Sequence, residues 1–248
     1  MASHRSTEQK ELPEKTPGYL GWSRDPAVGV FAVLPLWLLY EGLRLSLAPH
    51  ERNGAEALIN DFLQLFGPHA LSVLRVAMLI TIVLAAWSLL RRQIPWARVV
   101  LVSLLEGAVY GLMLGPVTGA LTLQFVDTSQ PLAAGLDAAD LVNSLGAGIF
   151  EEALFRLGLL SLLALAFHRV SRAFSLPVAL GSCAAVLTSA ILFSLFHHVG
   201  IGGDPFELRI FVFRALAGLI LGSLFVLRGF GVCVYTHSVY DLHYYLTL

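Results

Sequence analysis

The chain has 248 residues, 56% of them hydrophobic and 13% charged, with a formal net charge of −1. Soluble domains carry roughly 25% charged residues, so half that share, gathered between long apolar runs, excludes an ordinary soluble domain and indicates an integral membrane protein. The near-zero net charge gives no electrostatic footprint for nucleic acid.

Residues 1–25 form a polar tail. No apolar run follows a basic start, so the tail does not read as a cleavable signal peptide. The first helix would instead act as an uncleaved anchor. A membrane span needs ~20 mostly apolar residues. Seven stretches qualify: about Pro26–Ala48, Ala70–Leu90, Val99–Leu123, Leu141–Phe167, Leu176–His198, Leu208–Leu227 and Gly231–Leu248. The third is interrupted by Gly115-Pro116, and a break there would make eight. Between the first two, Leu58, Ile59, Phe62, Leu63 and Phe66 recur at helical spacing, which predicts an interfacial amphipathic helix over Ala55–Phe66. No internal repeat divides the chain. The expected fold is all-α, a polytopic transmembrane helical bundle forming a single domain over 26–248, with a catalytic core over 141–248.

Fourteen Arg and two Lys supply the basic charge. Arg5, Lys10, Lys15 and Arg24 lie in the tail, Arg91, Arg92 and Arg98 in the second connection, Arg169 and Arg172 in the fourth and Arg228 in the sixth. The connection from Gln124 to Asp140 has none. This alternation predicts a cytoplasmic N-terminus, and a multi-pass protein of the bacterial inner membrane is the expected setting. Cys183 and Cys233 both fall in apolar runs and read as small core residues, too few for a disulfide framework or a zinc knuckle.

The fourth span contains Phe150-Glu151-Glu152-Ala153-Leu154-Phe155-Arg156. A charge at bilayer depth costs at least about 2.5–3.5 kcal/mol, so three in six residues need partners or a task. Glu152 and Arg156 are i, i+4 in the favourable order for an intrahelical pair. That gives Glu152 a partner and leaves Glu151 for chemistry. With a histidine beside it, Glu151 could hold and deprotonate a water. Phe193-Ser194-Leu195-Phe196-His197-His198 ends the fifth span, and His237-Ser238-Val239-Tyr240-Asp241 lies in the seventh. His237 and Asp241 share a helix face, where an aspartate commonly sets a histidine's tautomer. Intramembrane ionisable residues usually face the bundle interior or a water-filled cavity, so Glu, His, His and Asp can converge. The residues alone leave two uses open, a water-activating protease site and a metal site.

Elsewhere, Glu106 and Arg214 sit at membrane depth and could pair with the site or with lipid head groups. Arg75 and the Glu41/Arg44 pair lie nearer span ends and are expected to snorkel to the interface. Asp127, Asp137 and Asp140 read as a solvated outer loop. A zinc His-Glu-x-x-His motif is absent. Gly222-Ser223 lacks the context of a nucleophilic serine. Gly200-Ile201-Gly202-Gly203-Asp204 misses the Gly-x-Gly-Asp pattern of intramembrane aspartyl proteases.

Glu-Glu-x-x-x-Arg, then Phe-x-x-x-His, then His-x-x-x-Asp on successive helices resembles the CPBP family, the CAAX protease and bacteriocin-processing (Abi) membrane proteins, which include the type II CAAX prenyl endopeptidases. The resemblance runs from Glu151 to Asp241. It implies an intramembrane endopeptidase acting on a membrane-associated protein tail or leader, with Glu151 as the water-activating carboxylate, helped by His197. His237 and Asp241 would stabilise the oxyanion, and Glu152 and Arg156 would support the site. It implies a glutamic-type mechanism with no cofactor. If a metal were used, zinc on Glu151, His197 and His237 is the implied set. The CAAX enzymes have Asn where this chain has Asp241, and an ionised Asp cannot donate to an oxyanion. Two other readings use the same residues: a non-enzymatic membrane scaffold or bacteriocin self-immunity protein on this fold, and a transporter with the Glu/His cluster as its ion site.

Overall fold

The computed structural model describes residues 18–45, 59, 63–65, 67–125, 138–199 and 203–247. Most of the predicted tail, nearly all of Ala55–Phe66, and Asp127 and Asp137 lie outside the described residues. Among the described residues the secondary structure is helical throughout. A short turn, α1 (Tyr19–Trp22), precedes α2 (Pro26–Arg44), α3 (Ala70–Arg91) and α4 (Trp96–Thr122). Then α5 (Ala138–Gly146) runs through wide turns into α6 (Ser161–Ala173), followed by α7 (Val178–Phe196), α8 (Leu208–Arg228) and α9 (Phe230–Thr247).

Five of these helices, α2, α3, α4, α7 and α8, are long and apolar enough to cross a membrane. Their outward faces are apolar, as lipid requires. On α3, Val73, Val76, Val83 and Leu84 are all exposed. The other two predicted spans fall on α5–α6 and on α9, the helices that carry most of the ionisable groups. Helix α9 and the stretch joining α5 to α6 pack inside the bundle, whereas α6 leaves Leu162, Leu165 and Val170 exposed.

Helix α4 continues without a break through Pro116. In hydrocarbon an opened helix would strand several backbone groups, each costing several kcal/mol, so one missing N–H is the lesser loss. The predicted interruption at Gly115-Pro116 is therefore absent.

The centre of the bundle is α9, where Val232, Cys233, Val234 and Thr236 are fully buried. Its closest neighbour is α4. Ser103, Gly107, Gly111 and Gly115 recur every four residues of α4, a small-residue stripe that lets two membrane helices approach. A Cβ on Gly111 would stand 2.7 Å from the Thr236 carbonyl oxygen.

The starts of α2 and α9 meet the ends of α3 and α8 at one end of the bundle. Asp25 caps α2, accepting from the N–H groups of Ala27 and Val28, and pairs with Arg92. Arg24 Nε donates to the Leu227 carbonyl. Tyr19 donates to Glu106, which Arg228 grips with two nitrogens, each 2.6 Å from an oxygen. Residues 19–25 thus strap the elbow between α8 and α9. Gly229 forms that elbow at φ 92°, ψ 175°, a region open almost only to glycine. A Cβ there would lie 2.1 Å from the Ser23 carbonyl oxygen. Gly229→Ala is expected to destabilise the protein by at least about 1–3 kcal/mol from backbone strain, with the clash added. Thermal unfolding in detergent measures it, and an unchanged midpoint would refute the strap.

Burial raises the proton affinity of Asp25, but the Arg92 guanidinium and the two backbone N–H groups outweigh it, so its carboxyl titrates below the usual range. A carboxylate with a depressed folded pKa stabilises fully above its unfolded value, about 3.9. That contribution fades as pH falls from there through the lower folded value. Arg92 is half exposed, which limits the pair to about 0.2–1 kcal/mol. The melting difference between wild type and Asp25→Asn should be constant from pH 7 to about 4 and shrink below. A difference that widens in acid would contradict the pairing.

Glu41, Arg44 and Arg75 form an ion-pair cluster, at 3.0 Å and 3.7 Å to Glu41, in which one carboxylate where the end of α2 meets the start of α3 serves both cations. Cys183 is exposed on the outer face of α7 and only Cys233 is a core residue. An apolar run cannot tell a lipid face from a core face.

Candidate active site

After Gly146 the fourth predicted span leaves α-helical geometry. Ala147–Glu151 and Ala153–Leu160 are wound as π-helical turns, with i→i+5 bonds. Such turns are rare and often mark functional sites. Widening a helix at membrane depth leaves carbonyls in need of donors. Hydroxyls supply them: Ser189 of α7 donates to the Phe155 carbonyl at 3.2 Å, and Ser161 to that of Arg156 at 3.0 Å. Gly148 permits the close approach to α9, since a Cβ there would meet Ser238 Oγ at 2.0 Å.

The inner layer of the site is buried. Glu152 is 0% exposed and Arg156 1%. Arg156 Nη1 lies 2.9 Å from Glu152 Oε1, the pair the i, i+4 spacing predicts, and its guanidinium stacks 4.5 Å above the Phe193 ring. Glu152 also accepts from two side chains of α9: His237 Nδ1 at 2.7 Å and Cys233 Sγ at 2.8 Å.

The outer layer holds the other four predicted residues together. Glu151 Oε2 is 3.6 Å from His197 Nε2 and 3.9 Å from His237 Nε2. Asp241 Oδ2 is 3.5 Å from His237 Nε2. His197 and Asp241 are each about one-fifth exposed, whereas Glu151 and His237 are almost covered. The cluster therefore opens at the His197–Asp241 end of the bundle.

The tautomers follow from the partners. A carbonyl only accepts, so His197 carries its proton on Nδ1, which donates to the Phe193 carbonyl at 2.9 Å. His237 carries one on Nδ1 for Glu152. Both histidines therefore turn Nε2 toward Glu151. Distances of 3.6–3.9 Å are too long for direct hydrogen bonds and suit a bridging water.

Asp241 does not stand behind His237 as the spacing suggested. Glu152 holds that position, and Asp241 faces the reactive nitrogen. The Glu152–His237 and Glu152–Cys233 contacts join residues more than eighty apart in sequence, and no local spacing signals them. Glu106 and Arg214 both lie outside the cluster. Glu106 belongs to the strap, and Arg214 pairs with Asp204 at 2.7 Å. Glu151, His197 and His237, the set that would hold zinc, come together, yet among the described residues no three His, Cys, Asp or Glu groups are arranged to hold a metal ion.

Every one of these site residues lies between the start of α5 and the last turns of α9. Residues 138–243 match the family model described as type II CAAX prenyl endopeptidase Rce1-like. This Rce1-like stretch begins with α5 and ends two residues past Asp241, so it encloses both glutamates, both histidines and Arg156. It bears out the resemblance read from the motifs. The Rce1-like family is a protease family, which supports an enzyme with a protein or peptide substrate. Helices α2–α4 lie outside the match. No curated protein and no solved structure matches the chain.

Proposed function

We propose that the protein is an intramembrane endopeptidase that hydrolyses a peptide bond in a membrane-associated tail or leader. The observation that carries this reading is the approach of Glu151 Oε2 to two histidine Nε2 atoms whose Nδ1 protons are fixed elsewhere. A water held between Glu151 and His197 gives a proton to Glu151, and its oxygen attacks the scissile carbonyl. The oxyanion forms toward α9, where His237 in its imidazolium form, with Nδ1 held by Glu152 and Nε2 donating, and Asp241 in its acid form can donate; both carry these protons before the attack and keep them after it. Glu151 then passes its proton to the departing amine. Glu152, held by Arg156 and Cys233, keeps the His237 ring aimed. The proton taken from the water thus ends on the departing amine, and the reading uses no cofactor.

The end of the bundle near Arg24, Arg91, Arg92, Arg98, Arg169, Arg172 and Arg228 is the cytoplasmic one by the positive-inside rule. The site then opens toward the outer leaflet, and tails or leaders presented there are its substrates. The test is cleavage of membrane-anchored quenched-fluorescence peptides by the purified protein in liposomes. Cleavage should persist in a strong chelator. Activity lost to the chelator and restored by zinc would overturn the metal-free route, and intact peptides under all conditions would overturn the hydrolase.

A further inference from the structure

We propose that Cys233 sets the rate of hydrolysis as a positioning residue: its thiol gives its one proton to Glu152 Oε2, which locks the plane of that carboxylate and with it the direction in which His237 presents Nε2. This rests on the endopeptidase reading, and it gives a task to a thiol that the sequence marks only as a small core residue.

Cys233 and His237 are four residues apart on α9, so their side chains leave one face of the helix a turn apart. Both reach the same carboxylate. His237 Nδ1 lies 2.7 Å from Glu152 Oε1, and Cys233 Sγ lies 2.8 Å from Oε2. Arg156 Nη1 is also on Oε1, at 2.9 Å. The last torsion of a glutamate is soft and roughly two-fold. Donors on one oxygen alone let the carboxylate swing about that contact, and the imidazole bound there swings with it. A donor on the second oxygen fixes the plane. Glu152 and Cys233 are both fully buried, so bulk water does not reach Oε2 to take the place of the thiol.

The thiol has one proton and two acceptors within reach. Sγ is also 3.2 Å from the Leu221 carbonyl oxygen. Leu221 lies inside α8, where the helix supplies its carbonyl with an N–H partner. The carboxylate is nearer and, being charged, is the stronger acceptor. The proton therefore goes to Glu152.

The consequence for the reaction lies at the other end of the ring. His237 Nε2 is 3.9 Å from Glu151 Oε2 and 3.5 Å from Asp241 Oδ2, and the forming oxyanion must fit beside it. A misplacement of about 1 Å can cost on the order of a hundredfold in rate. Cys233 is enclosed and acts through Glu152 and His237, so its effect belongs to kcat and not to peptide affinity.

The test uses the full-length protein in lipid nanodiscs with Cys183→Ala present, which leaves Cys233 as the one thiol. Infrared spectroscopy reads the S–H stretch, which lies clear of other protein bands and moves down as the thiol's hydrogen bond strengthens. Glu152→Gln should move it up, because a neutral amide is the weaker acceptor. A band that stays in place puts the proton on the Leu221 carbonyl and overturns the proposal. With membrane-anchored peptides, Cys233→Ala should lower kcat by roughly tenfold to a hundredfold at unchanged KM. Cys233→Ser should recover most of that loss, since its hydroxyl can donate in place of the thiol. Core packing alone predicts the opposite order, because alanine keeps the position apolar and a buried hydroxyl costs more. An alanine variant as fast as the serine one, or a loss confined to KM, overturns the proposal. Nitrogen-15 NMR of histidine-labelled protein follows the ring without turnover. The His237 Nδ1 line, assigned by its absence in His237→Gln, should shift in Cys233→Ala and return in Cys233→Ser. If wild type cleaves no peptide while that line keeps this pattern, the hydrolase reading fails and the positioning contact stands. If peptides are cleaved and neither the line nor kcat responds to Cys233, the positioning role alone fails.

Discussion

Glu151→Gln should lower kcat for peptide hydrolysis by roughly two to four orders of magnitude, the usual share of a positioned general base. The amide keeps the shape of the side chain and removes the basic oxygen that faces His197 and His237. Peptide affinity should change little, because Glu151 lies almost covered beneath the opening and acts on the water. Single-turnover kinetics in liposomes separates the two effects. A variant that folds, inserts and still cleaves at the wild-type rate would show that another group activates the water. The non-catalytic scaffold and self-immunity readings instead predict no cleavage by either protein.

Arg156→Met should be the most destabilising change near the site. The arginine and Glu152 are both fully buried, and removing one partner of a buried ion pair typically costs about 3–5 kcal/mol. Methionine also gives up the stacking on Phe193. Glu152 would be left with His237 and Cys233 as its donors, and the ring it aims would lose its anchor. We expect a lowered melting midpoint and reduced activity together. Arg156→Met combined with Glu152→Gln should recover part of the stability but not the activity, because the neutral amide is cheaper to bury than an orphaned charge. If the double variant is less stable than Arg156→Met alone, the two side chains are not a compensated pair.

The positions of the helices were legible because hydropathy alone governs what can cross hydrocarbon. Thus α2, α3, α4, α7 and α8 stand within a few residues of their predicted bounds. The Glu152–Arg156 pair was legible because one turn of helix brings the two together whatever surrounds them. Less was legible wherever tertiary contacts decide. In the π-helical stretch that follows Glu152, the Phe155 and Arg156 carbonyls are met by hydroxyls of Ser189 and Ser161, and Ser189 lies on another helix. The partner of His237 Nδ1 is a choice between a carboxylate on its own helix and one on α5–α6, and spacing speaks only for the first. Pro116 looked like a break because its cost was weighed as in water, whereas in lipid the broken alternative costs more. The two cysteines looked alike because an apolar run does not say which face meets lipid.

The strap of residues 19–25 bears on how the chain is made. A membrane protein is synthesised N-terminus first, yet Tyr19 and Arg24 find their partners on α4 and at the end of α8. The earliest described residues must therefore wait until α8 has been made. Glu106 enters the bilayer long before Arg228 exists to neutralise it, so the nascent protein carries an unmatched charge until α8 is complete. Gly229, where the strap seats, is the last residue before the helix that holds His237. Seating the strap and delivering the helix that carries His237 and Asp241 are therefore coupled, and no chain that stops before α9 can bring the cluster together.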